Sequence, residues 1–178
     1  MTEAETKPSP QGSPFWRFSL QFYRQPGVAE ACIVLQEEAG VDVNLMLFLL
    51  WHAAQRRQFS SSEVDWIESK ICEWREATVI PLRSVRRALK APPLLVTAAR
   101  AEAFRTRIKA IELEAERLQQ EAMYELEPAV PPGQTVAASA DAARENLVAY
   151  AASLETTFPK AAADTILAAF VTMKPAAA

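Results

Sequence analysis

Seven consecutive residues, Leu45-Met46-Leu47-Phe48-Leu49-Leu50-Trp51, are apolar on every side of any helix drawn through them. A helix that meets water needs a polar face, so this one has to be surrounded by other elements. Crossing a bilayer takes about 20 apolar residues, so the run is too short to be a membrane span. It belongs at the centre of a bundle. Asp42 caps it at one end, and the helix is expected over Val43 to Arg57.

The segments on either side have helical periods of their own. Ser13-Pro14 is a cap followed by proline at the first helical position, and Phe15, Phe18 and Phe22 then recur at helical spacing to about Arg24. After Pro26, a stripe of Val28, Ala31, Cys32, Leu35 and Ala39 ends at Gly40, which supplies a left-handed stop. Ser60-Ser61-Ser62-Glu63-Val64-Asp65 holds two overlapping capping boxes, Ser60 with Glu63 and Ser62 with Asp65. They precede Trp66, Ile67, Ile71 and Trp74. Thr78-Val79-Ile80 is β-branched but short and without a partner strand, which predicts a linker or helix end. Pro81 starts a short helix with Leu82, Val85 and Leu89 inward, stopped by Pro92-Pro93.

From Leu94 to about Leu126 there is neither Gly nor Pro, the composition of a helix roughly 50 Å long. Ala101, Phe104, Ile108, Ile111, Ala115, Leu118 and Ala122 alternate in steps of three and four along it, the seam of a coiled coil or a long bundle helix. Pro128, Pro131, Pro132 and Gly133 break the pattern. The alanine-rich remainder reads as two helices, Ser139 to Glu155 and Lys160 to Met173. Alanine favours helix but buries little area, so this extension depends on docking. The expected architecture is all-α: a disordered leader at 1–13, an irregular helical bundle over 14–126 with a long C-terminal helix, a Pro/Gly linker at 127–136, and an alanine-rich helical extension at 137–178.

Composition narrows what such a chain does. The net charge of −3 provides no chain-wide field toward nucleic acid or acidic lipid, so any such binding needs a local patch. The first residues have neither the basic nor the apolar region of a secretory signal, which points to the cytoplasm. Cys32 and Cys72 are then thiols acting as small buried hydrophobes.

Pro26-Gly27-Val28, Ala31-Cys32, Leu35-Gln36, then Gly40-Val41-Asp42-Val43-Asn44-Leu45 with Phe48 and Trp51, resemble the signature of a small proteobacterial family of uncharacterised proteins. Trp74-Arg75, Pro81-Leu82-Arg83, Arg86-Arg87 and Leu89-Lys90 are similar to it too. The resemblance covers about Phe15 to Leu126 and implies a helical fold, with no named chemistry.

No phosphate loop, nucleophile elbow or dinucleotide fingerprint is present, and four glycines leave little room for one. One histidine and two distant cysteines do not make a metal spacing. No catalytic, cofactor-binding or metal residue is therefore assigned. Asp42, Asn44 and His52 are candidates for a buried polar site. Asp42 is explained as a cap and His52 as a core histidine, whereas Asn44 either bonds nearby backbone or presents its amide to a ligand. The four tryptophans read as core.

Between Arg75 and Lys109 nine basic residues stand against two acidic ones. Arg83, Arg86, Arg87 and Lys90 share one helix face, either a solvated surface or a patch for an acidic partner or phosphate. In the long helix, Arg100, Arg105, Arg107 and Lys109 precede Glu112, Glu114, Glu116, Glu121, Glu125 and Glu127. That order opposes the helix dipole. The leading expectation is a non-enzymatic module for protein partners, or a homodimer pairing antiparallel through Phe104, Ile108, Ile111 and Leu118. The same seam serves equally well to pack within the chain. A nucleic-acid or phosphate adaptor is the alternative, lowered by the lack of exposed aromatics beside the basic face, and an enzyme near Asn44 and His52 is remote.

Overall fold

A computed structural model describes residues 12–92 and 95–173. All but Gly12 and Ser13 of the expected leader, together with Pro93, Leu94 and the last five residues, lie outside that range. Among the described residues the fold is all-α apart from one pair of two-residue strands.

Helix α1 is Pro14–Tyr23; Ser13 Oγ accepts from Trp16 N and Pro14 takes the first turn, where a missing N–H is harmless. Helix α2, Val28–Ala39, stops at Gly40 with φ 69°, in the left-handed region. Helix α3, Val43–Ala54, is capped by Asp42 Oδ1, which accepts from Asn44 N and Leu45 N. Leu45 to Leu50 are buried without exception and Trp51 is half-buried, so α3 is the axis of the core. It ends three residues short of the expected Arg57, because Arg57–Gln58 leaves as strand β1 and pairs antiparallel with β2, Gln134–Thr135. Gly133 is required there: a Cβ would lie 2.6 Å from Gln58 O.

Helix α4, Ser61–Trp74, opens on the reciprocal Ser60–Glu63 capping box. Where a linker or helix end was expected at Thr78–Ile80, the chain instead winds through a wider π turn, Arg75–Val79, straight into α5, Ile80–Ala88. The widening directly precedes Pro81, whose missing N–H and bulky ring disrupt ordinary helical bonding in the preceding turn. Helix α6 is Ala98–Leu126 and closes with one 3₁₀ turn, Glu127–Ala129.

The alanine-rich segment forms α7, Ser139–Ser153, and α8, Lys160–Thr172. Helix α7 lies against α3, and α8 against α2. Ala142, Ala143, Leu147, Tyr150, Ile166 and Phe170 share one core with Phe22, Leu35 and Phe48. Small side chains at Ala142 and Ala143 let α7 approach the central helix closely.

Three inward assignments differ from expectation. In α5, Val85 is 45% exposed, while Arg83 and Arg86 turn toward α6. The acidic residues facing them there decide the rotation. In α6, Ala101, Ile108 and Ala115 are buried, but Phe104, Ile111 and Leu118 stay about half exposed; Glu112, Gln119, Gln120 and Met123 take the inner face. The tryptophans line the edge of the core rather than its centre: Trp16, Trp51 and Trp66 are half-buried and Trp74 is exposed, its Nε1 donating to Ala115 O. Cys32 is buried and Cys72 only partly so.

Candidate binding cleft

Helices α1 and α2 on one side and α5 and α6 on the other flank an open cleft of about 980 Å³, with the start of α3 at its floor. The α1 and α2 wall carries apolar side chains that the core does not cover: Leu20, Tyr23 and Ile33 are between 37% and 51% exposed. Arginines and Lys109 make the opposite wall.

At the floor, one carboxylate sets the direction of a chain of amides. Asp42 Oδ2 accepts from Arg75 Nη1 at 3.0 Å and from Gln119 Nε2 at 3.1 Å. A carboxylate held by a guanidinium can only accept, so Gln119 presents its Nε2 there and turns its Oε1 the other way. That Oε1 accepts from Asn44 Nδ2 at 3.0 Å, and Asn44 Oδ1 in turn accepts from Gln120 Nε2 at 2.7 Å. Gln120 Oε1 ends the chain as an acceptor, and no donor among the described residues meets it. Ser19 Oγ, buried in the α1 wall, also lacks a partner among the described residues. Both residues line the cleft and are more than nine-tenths buried.

The position of Asp42 is fixed from outside the cleft as well. Its N–H donates to Tyr150 Oη of α7 at 2.8 Å, and Arg75 is held in turn by Glu68. Burial, with the Asp42 charge adding to it, raises the Tyr150 phenol far above its ordinary value, so it stays neutral.

On the charged wall, Arg83 Nε meets Glu112 Oε1 at 3.0 Å, its Nη2 meets Glu116 at 2.7 Å and its Nη1 meets Gln36 at 2.8 Å. Arg86 bonds the other oxygen of Glu112. Burial alone would raise the Glu112 carboxyl, but hydrogen bonds from Arg86 and Arg83 outweigh it and hold it below its usual value. Glu116 goes the other way: burial raises it, and Arg83 offsets that only in part. At the rim Arg87 meets Glu37 at 3.1 Å, with both side chains about half exposed. Among the described residues no carboxylate pairs with Arg24, Lys90 or Lys109, which also line the cleft. The cleft is therefore a positive basin in a chain of net charge −3.

Residues 14–123 match the family described as Protein of unknown function (DUF2390). The chain belongs to that family. No curated protein and no solved structure matches it. The DUF2390 match takes in every member of the amide chain, whereas Tyr150 lies beyond it on α7.

Of the residues singled out from sequence, Asp42 and Asn44 come together in this DUF2390 domain. His52 does not join them: it sits at the far end of α3, wholly buried, its ring edge-on to Phe48 and Phe59. Burial and the nearby Arg57 charge lower its pKa to about 3, so the ring is neutral at pH 7. Arg83 and Arg86 are engaged by α6, and Arg87 and Lys90 stand at the rim. Phe104, Ile111 and Leu118 are on another face of α6. Reading the sequence missed Ser19, Glu112, Gln119 and Gln120. The signal for three of them was present, since Glu112, Glu116, Gln119 and Gln120 recur at helical spacing, but such a series resembles an ordinary solvated face. Among the described residues no group of His, Cys, Asp or Glu is placed to hold a metal ion. No described helix is long and apolar enough to cross a membrane.

Proposed function

We propose that the protein is a non-enzymatic interaction module, and that its cleft receives an acidic segment of a partner protein bearing apolar side chains. The observation that carries this reading is the contrast between the walls. Leu20, Tyr23 and Ile33 offer uncovered apolar area, Lys90 and Lys109 offer positive charge that no carboxylate among the described residues pairs, and Gln120 Oε1, shielded from solvent at the cleft floor, offers an acceptor to a backbone N–H that displaces the side chains over it. A segment alternating carboxylates with apolar side chains satisfies all three.

The basic face favours nucleic acid or phosphate less. Arg83 and Arg86, which such a ligand needs, already bond Glu112 and Glu116, and a phosphate would have to displace those carboxylates. An enzyme at Asn44 and His52 has no shared site to work in. The two free thiols support the reducing cytoplasm as the place where the module acts.

Selection from a random peptide library displayed against the full chain tests the proposal. Enriched peptides should place Asp or Glu beside Leu, Ile, Phe or Trp. They should bind about tenfold more weakly to Ile33→Asp and to Lys90→Glu with Lys109→Glu, all exposed positions. Enrichment of basic peptides, equal binding to those variants, or a stronger preference for single-stranded RNA would overturn it.

A further inference from the structure

The outer face of α6 carries a second pattern, independent of the cleft. Phe104, Ile111 and Leu118 recur every seven residues and are 47%, 51% and 49% exposed. Trp74, 40% exposed, is tied beside them by its bond to Ala115 O. Three large apolar side chains on one line with an indole next to them form a stripe that nothing among the described residues covers. On one shoulder of that stripe Arg100, Arg107, Glu114 and Glu121 also recur every seven residues.

We infer that two copies of this chain pair antiparallel along the outer face of α6. With the helices antiparallel and Ile111 meeting itself near the two-fold axis, Phe104 falls opposite the partner's Leu118. Arg107 then stands beside the partner's Glu114, and Arg100 beside the partner's Glu121. In antiparallel pairs the residues on this shoulder face their own counterparts across the seam, and each of these meetings is between opposite charges. A parallel pair would turn this shoulder toward the partner's opposite one, so Arg100 and Arg107 would lose Glu121 and Glu114 as partners.

The charge order is otherwise costly. Basic residues in the first half of a helix and acidic ones in the second oppose its dipole. Contacts within the chain account for Glu112 and Glu116, which bond Arg83 and Arg86, but they leave the outer row largely unused. Arg100 and Arg107 are exposed without a carboxylate among the described residues, and Glu114 meets only Arg117, at 3.7 Å on an exposed turn. Glu121 accepts from Ser13 N, and a carboxylate has lone pairs enough to accept from an arginine too. Self-complementary charge beside an uncovered stripe is what selects a second copy over an unrelated partner.

Light scattering and sedimentation of the full chain test this. A dimer should form at micromolar concentrations and weaken with added salt. Arg107→Glu should weaken it about tenfold or more while leaving the circular dichroism unchanged, and adding Glu114→Arg to that variant should restore it. In a Cys72→Ser background, mixing Phe104→Cys chains with Leu118→Cys chains should give the mixed disulfide. A monomer throughout, a dimer indifferent to Arg107→Glu, no rescue by the double variant, or disulfides joining like positions would each overturn the inference.

Discussion

At the C-terminal end of α3, Asn146 of α7 accepts from Phe59 N at 2.7 Å and donates to Leu49 O and Arg57 O, each at 3.0 Å. Arg57 there reaches Glu127 and the carbonyls of Val130, Pro131 and Pro132, so the proline-rich stretch after α6 is fastened down. At the N-terminal end, the amides of Gln119, Asn44 and Gln120 run from Asp42 to an acceptor that no donor among the described residues meets. Both ends place polar groups in an otherwise apolar molecule. One is closed by its own chain except at His52 Nε2, which no acceptor among the described residues meets, and the other stops at a cleft wall. A closed network serves to fix a structure, because each group removed strands another that water cannot reach. A chain of amides that ends on a free acceptor beside a cleft is suited to take a ligand.

The contrast predicts unequal costs for similar substitutions. Asn146→Ala should cost the most, about 4 kcal/mol, since it strands the buried Phe59 N–H and the Arg57 carbonyl at roughly 1–3 kcal/mol each and takes a second donor from Leu49 O, which stays bonded within α3. Urea unfolding at neutral pH measures it. A loss under about 1 kcal/mol would mean that the closed end is not the clamp its geometry describes.

The next effect depends on pH and also belongs to the closed end. Arg57 Nη1 lies 3.3 Å from His52 Nδ1 and can only donate, so Nδ1 is the acceptor and the proton sits on Nε2. The unfolded ring takes up a second proton below about 6.5, whereas the folded ring resists until about 3. Between these values the unfolded state binds more protons, so this contribution is complete above pH 6.5 and is lost as pH falls through the window. At about pH 4.5 the loss is on the order of 2–3 kcal/mol. His52→Phe, which fills the same aromatic cage, should reduce the difference between unfolding at pH 7 and at pH 4.5 by that amount. Carboxylates such as Glu112 titrate alike in both proteins and cancel. Equal acid sensitivity in the two would show that the ring is hydrated and the end is open.

These two ends were unequally legible before the structure was known. Asp42 as a cap, Gly40 as a stop and the burial of Leu45 to Leu50 follow from residue type and spacing, and local physics decides them. Asn44 stood out because an amide in so apolar a helix needs a partner. Asn146 did not, because among alanines it resembles a solvated position and all three of its partners are backbone groups, which no side-chain pattern reveals. Arg83 and Arg86 show a further limit: a helical wheel groups them on one face but does not say that Glu112 and Glu116 stand opposite. The π turn before Pro81 is a matter of two helices joining, and the residues there are equally compatible with a break.

The smallest expected effect is at the open end, and it separates a binding role from a structural one. Methionine has nearly the shape of glutamine without its polar head, so Gln120→Met keeps the packing of α6 while removing the end of the amide chain. Asn44 Oδ1 loses a donor, which costs about 1 kcal/mol, but the variant no longer buries an Oε1 that lacks a partner. These terms oppose each other, and the net change in stability should stay within about 1 kcal/mol. Binding should respond differently: a peptide whose N–H reaches Gln120 Oε1 loses that bond, and its affinity should fall about tenfold. Urea unfolding and peptide titration on the same sample read the two quantities. Were Gln120→Met to destabilise as much as Asn146→Ala, the two ends of α3 would be alike, and the cleft floor would be part of the scaffold.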